Sequence, residues 1–321
     1  MLTKRPGARK ASLEKESYTN LTLGPVLFNW APECWRDFYF RMADEAPVDT
    51  ICVGEVVCSK RAQFFAPYLT DVVERLLSAG KEVVLSTLAL IMNEREIALV
   101  REIVENTDFL VEANDISAAA LLKGRPHAIG PFVNIYNEDT LAYMVHNGAR
   151  RVTLPVELSA SSIATLTKSV PAELEVMVFG RLPLAISARC YHARCHNLSR
   201  DNCQFVCEKN PDGLDVDTLN GEPFLAINGV QTMSHTYCNL IGDLSALLDL
   251  GIGRFRLSPH SGDMARVAKA FRAVLESRMA PEEANTIITE ETGSMPISNG
   301  YFHGRTGATF EGIPADQTEA R

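Results

Sequence analysis

The sequence predicts an α/β fold: a (β/α)8 TIM-barrel-like ring with a cysteine-bearing insertion after its seventh strand and a C-terminal extension. Three observations predict it. Apolar segments rich in strand formers alternate with helical patterns along nearly the whole chain. Eight such pairs fit within about 260 residues, the length of one barrel, and repeated βαβ units imply a parallel sheet. The composition, 46% apolar and 22% charged over 321 residues, is that of an ordinary globular chain with ample core.

After a polar leader, expected to be flexible over 1–20, LTLGPVLFN at 21–29 reads as the first strand, followed by a helix over 33–45. DTICVGEVV at 49–57 is the second strand, AQFFAPYLTDVVERLLSAG a helix stopped at Gly80, and KEVVLSTLAL the third strand. The rhythm continues with a helix at 93–106, strand DFLVEA, a helix at 115–122, strand HAIGPFVNIY, a helix at 138–147, strand RRVTLPVEL and a helix at 160–169. ELEVMVFG at 173–180 makes the seventh strand. GRFRLSPH at 253–260, followed by the helical MARVAKAFRAVLESR, makes the eighth. FLAINGVQT at 224–232 is a ninth candidate and has to lie outside a closed ring. The barrel is therefore expected over 21–280, with 181–250 inserted between strands seven and eight. Residues 281–321 form an extension over the outside or the mouth.

Forty acidic against 31 basic residues leave a net charge of −9, which repels nucleic acid and anionic membrane surfaces. No apolar run reaches the roughly 18 residues that span a bilayer, and the opening MLTKRPGARKASLEKESYTN has no secretory core. A soluble cytoplasmic protein is expected. The chain has no G-x4-G-K-[ST] phosphate loop, H-E-x-x-H zinc motif or G-x-S-x-G elbow.

Eight cysteines lie at 34, 52, 58, 190, 195, 203, 207 and 238, five of them between 190 and 238. In a reducing compartment clustered thiols bind metal or do redox chemistry. Cys190, Cys203 and Cys207 form C-x12-C-x3-C within the insertion, and Cys58 follows the second strand at the same barrel mouth. Four thiolates can converge there. The CxxC knuckles of structural zinc are missing, which favours an iron–sulfur cluster, with zinc and scattered redox thiols as the alternatives. Cys52 reads as core, Cys195 as the substitute ligand, and Cys34 and Cys238 as core or surface thiols.

LGPVLFNW, GEVVCSKR around Cys58, LSTLAL, PVELS, GRLPLAISARC ending at Cys190, NGVQTMS, RLSP and NGYFHGRTG resemble the collagenase-like peptidase family, in order, from residue 22 to about 305. GEVVCSKR and LPLAISARC point to its ubiquinone-biosynthesis members. The resemblance implies a β/α barrel and a [4Fe–4S] cluster on Cys58, Cys190, Cys203 and Cys207. It also implies a UbiU-type partner in a heterodimer and oxygen-independent hydroxylation of ubiquinone precursors, with prephenate as hydroxyl donor. Here Glu208 follows Cys207 where related chains have a further cysteine. Peptidase activity is not expected, because no nucleophile and base pair stands out.

For such a reaction Glu55 and Glu157, at the ends of strands two and six, are candidates to orient substrate or move protons. Each has a structural alternative, holding backbone amides. Arg189, beside a cluster ligand, is the candidate for carboxylate or cluster positioning, and Arg256 is expected just past a strand end. His192, His196 and His235 are possible proton carriers.

Overall fold

The computed structural model describes residues 19–293 and 295–312. The expected flexible leader falls almost entirely outside them. Eight parallel strands close a ring: β1 (Asn20–Leu23), β2 (Thr50–Val53), β3 (Glu82–Ser86), β4 (Leu110–Ala113), β5 (His127–Ile129), β6 (Ala149–Thr153), β7 (Glu173–Ile186) and, last in the chain, β11 (Arg254–Leu257). The seam is sealed on both sides of β11, where Arg254 pairs with Asn20 of β1 and with Glu175 of β7.

Helices cover the outside: α1 (Pro32–Glu45), α2 (Ala62–Ser78), α3 (Glu94–Asn106), α4 (Ile116–Leu121), α5 (Glu138–His146), α6 (Ala160–Leu166), α8 (Leu244–Asp249) and α9 (Met264–Leu275). Five of them start at side-chain caps, with Asn93, Asp115, Asn137, Ser159 and Asp263 accepting the amides of Glu96, Ser117, Thr140, Ser162 and Arg266. Alternation along each strand divides the apolar from the polar residues. Leu21, Leu23, Ile51 and Val53 pack outward with Trp35, Tyr39, Met42 and Phe271 of the helices.

Inside the ring the odd partners are polar. Arg256 donates through Nε to Glu175 Oε1 at 2.6 Å and pairs with Glu112 through Nη2. Ser86 and Asn114 donate to Glu112, and Thr153 donates to Glu175. Arg256 thus lies within β11, buried, and does not follow a strand end as its position suggested. Cys52 is buried as expected, but among these charges. Burial pushes the Glu175 carboxyl up, yet Arg256 and Arg151 outweigh it and hold it down to about 2.

The remaining differences lie where the barrel meets its insertion. The fifth strand stops at Ile129, because Pro131 opens a 3-10 turn and Asn134 takes a left-handed φ of 61°. The seventh runs six residues further than expected, to Ile186. Gly180 allows this with φ 116°, where a Cβ would stand 2.7 Å from that of Ser258. Beyond it β7 leaves the ring and pairs antiparallel with β10 (Gln231–Asn239), which continues to β9 (Pro223–Asn228) and β8 (Leu214–Asp217). The single ninth candidate is therefore a hairpin, turned at Gly229 with φ 64°. The C-terminal segment has structure that its composition hid: α10 (Pro281–Thr292) packs its Ala284 and Ile288 into the core, and β12 (Ile297–Ser298) pairs with β10.

Candidate metal centre

Cys58 is set by the turn that ends β2. Gly54, at φ 146°, lies against the Ser86 carbonyl where a side chain has no room. Glu55 then folds back, its Oε1 accepting the amides of Val57 at 2.8 Å and Cys58 at 2.9 Å. The next residues, Ser59–Arg61, form a 3-10 turn closed by the Arg61 amide on the Cys58 carbonyl, and α2 begins directly.

The other three cysteines come from the insertion. Past Ile186, the Ser187 amide still bonds the Val230 carbonyl, which holds the segment to the hairpin. Cys190 caps the short helix α7 (Tyr191–Cys195), its Sγ accepting the Ala193 amide at 3.4 Å. Cys203 and Cys207 flank a tight turn in which Gln204 and Phe205 both have positive φ, and the Val206 amide bonds the Cys203 carbonyl. The loops are tied together by Lys60, whose Nζ donates to the Arg200 carbonyl at 2.6 Å.

Cys58, Cys190, Cys203 and Cys207 line one cavity of about 360 Å3, counting the part open to solvent, together with Arg61, His192 and Arg200. Cys207 is buried and the other three are half-buried. Burial pushes the Cys58 thiol up while Arg61 pulls it down, and burial likewise raises Cys190. Among the described residues no three His, Cys, Asp or Glu side chains gather closely enough for a single metal ion. A lone zinc would need its sulfurs within about 2.3 Å of one point, whereas a polynuclear core spreads them apart.

Arg61 was not among the sequence candidates. It is 1% exposed and donates through Nη1 to the Leu27 carbonyl at 2.8 Å and through Nη2 to Asn228 Oδ1 at 2.9 Å. Its Nε has no partner, and neither has Nδ1 of the buried His192. A buried cation needs an anion beside it, and four thiols around one cavity with the buried Arg61 and His192 on its wall are a donor set that fits a cluster. The signal was in GEVVCSKR, where a basic residue stands directly before an apolar helix, but charge in a loop ordinarily means solvent.

The remaining cysteines stand apart: Cys34 and Cys195 are exposed, and Cys52 and Cys238 are buried away from the cavity. Glu55 serves the turn amides, the structural alternative weighed for it. Glu157 faces a second cavity at the mouth, about 780 Å3 including its open part, and accepts from Tyr136 Oη at 3.2 Å. Leu90, Phe132, Pro183 and Ile186 supply apolar walls there. Ile186 precedes Cys190 by four residues, so the two cavities lie within about 14 Å along the chain. Arg189 is exposed and lines neither cavity. His192 lines the cysteine cavity, its Nε2 donating to Asn210 Oδ1 at 3.0 Å, and His196 stacks on it. His235 sits over Asp215, away from both.

Among solved structures, a tryptophan synthase of Mycobacterium tuberculosis is 14% identical, with 57% of this chain and 81% of that one covered at a TM-score of 0.33. Phospho-2-dehydro-3-deoxyheptonate aldolase from Thermotoga maritima is 9% identical, with 88% and 72% covered at a TM-score of 0.36. The family model described as Peptidase family U32 matches residues 37–311.

Proposed function

The chain belongs to peptidase family U32, and on that premise we propose that it is a UbiV-type iron–sulfur subunit of an oxygen-independent hydroxylase of ubiquinone precursors. It acts with a UbiU-type partner in a heterodimer. The observation that carries this reading is the gathering of Cys58, Cys190, Cys203 and Cys207 around one cavity at the barrel mouth. A peptidase reading has less support, since no serine, threonine or cysteine among the described residues hydrogen-bonds a histidine ring.

Those four cysteines would hold a [4Fe–4S] cluster, and Arg61 would balance its charge. When bound, the cluster supplies one-electron chemistry or an anchor for substrate oxygen. The chain's own residues do the rest. Glu55 keeps the Cys58 turn closed by holding its two amides. The neighbouring cavity, walled by Phe132, Pro183 and Ile186, suits a flat ring, and Glu157 with Tyr136 offers it a hydrogen-bonded carboxylate. A donor such as prephenate carries carboxylates, which would call for cations at the mouth.

The test is purification without air, alone and with a UbiU-type partner, followed by iron and acid-labile sulfide assays. Brown protein whose visible absorption is bleached by dithionite is expected. Colourless protein free of iron and sulfide under both conditions overturns the reading.

A further inference from the structure

We infer that Arg61 is the counter-cation of the group held by the four cysteines and sets its reduction potential. The inference rests on the cluster reading above. The geometry is unusual for an arginine. Its guanidinium is sealed between the Leu27 carbonyl, Asn228 and the hairpin turn, where a Cβ on Gly229 would lie 2.7 Å from Nη2. Neither the Leu27 carbonyl nor Asn228 Oδ1 carries a charge. The ionisable groups whose fields raise it are Cys207, Glu55 and Cys58, two of them cavity thiols.

A buried, permanently charged guanidinium is stable only beside compensating charge, and it cannot lose its proton to escape the cost. Four thiolates around an iron–sulfur core supply that charge, and one more unit arrives when the core takes an electron. The cation therefore favours the reduced state, and low polarity around it keeps the effect strong. Lys209, two residues after Cys207, is a natural control: its side chain is exposed and lines neither cavity, so water and salt screen it.

The experiment is a potentiometric titration with dithionite of the anaerobic, cluster-loaded full chain, monitored by visible absorption and electron paramagnetic resonance, with iron content measured on each sample. In Arg61→Gln the reduced-to-oxidised ratio at a given potential should fall at least tenfold, which is about 59 mV for a one-electron couple. Lys209→Gln should change it less than about twofold, in line with an exposed, screened charge. Arg61→Lys keeps the charge but cannot span both Leu27 and Asn228, so it decides the matter if the glutamine variant fails to accumulate. A ratio within about threefold of wild type supports the charge effect, on the same scale of tenfold per 59 mV. Cluster-loaded Arg61→Gln with an unchanged midpoint overturns the inference, as does an Arg61→Lys or Lys209→Gln shift as large as that expected for Arg61→Gln. Wild-type protein that takes up no iron defeats the cluster reading itself, and this inference with it.

Discussion

Cys58 and Cys195 are both thiols beside a basic residue, yet only one of them faces the cavity. Cys58→Ser should leave iron per chain near zero, because a [4Fe–4S] core needs all four sulfurs, while the exposed Cys195→Ser should keep full content. Iron and sulfide analysis of the two variants checks this. A second expectation concerns Arg256, whose removal leaves Glu112 and Glu175 buried without their cation. Arg256→Met should cost about 3–5 kcal/mol, read from urea midpoints at neutral pH. The sign with pH follows from Glu175. Its folded-state value, about 2, lies below the ordinary 4.5, so its contribution is complete above pH 4.5 and is lost as pH falls from there to about 2. Loss of the arginine should flatten that acid limb. The cysteine spacing could be read from the chain because thiols are rare and their clustering has few causes. Arg61 and Arg256 could not, since burial of a charge depends on residues 167 and 144 positions away.

At the level of elements, β7 is one strand with two successive sets of partners in a single sheet. Its first half completes the parallel ring and its second half begins the antiparallel hairpin, and Gly180 marks the change. Gly180→Val puts a branched side chain at φ 116° against Ser258, and should destabilise the chain by about 1–3 kcal/mol. A thermal melt followed by tryptophan fluorescence checks it, since Trp30 donates to the Pro211 carbonyl of the insertion. The strand and helix alternation was legible because apolar runs and side-chain caps are local. The length of β7 was not, because what carries a strand past a barrel rim is a partner, β10, supplied some fifty residues later. For the same reason the 224–232 run could not be divided from its own composition, and α10 was hidden by a sequence of mostly polar residues whose buried face is Ala284, Asn285, Ile288 and Thr292.

Across the whole molecule, the barrel supplies one cysteine and the insertion three, so a bound cluster joins parts with different supports. In protein stripped of iron, amides of 187–213 should exchange faster with solvent than in loaded protein, while those of β1 to β6 stay equally protected. Mass-resolved hydrogen exchange on both forms checks this. The charged interior of the ring has another effect. Its carboxylates sit on β4 and β7, and the arginine that answers both sits on β11, 144 and 81 residues downstream of them. During synthesis at roughly 5–20 residues per second, a nascent chain therefore carries both acids without this arginine for some seconds before the final stave arrives. Fragments ending short of residue 256 should stay open and in need of chaperone shelter, because no shorter piece of this polypeptide can shut its own cask.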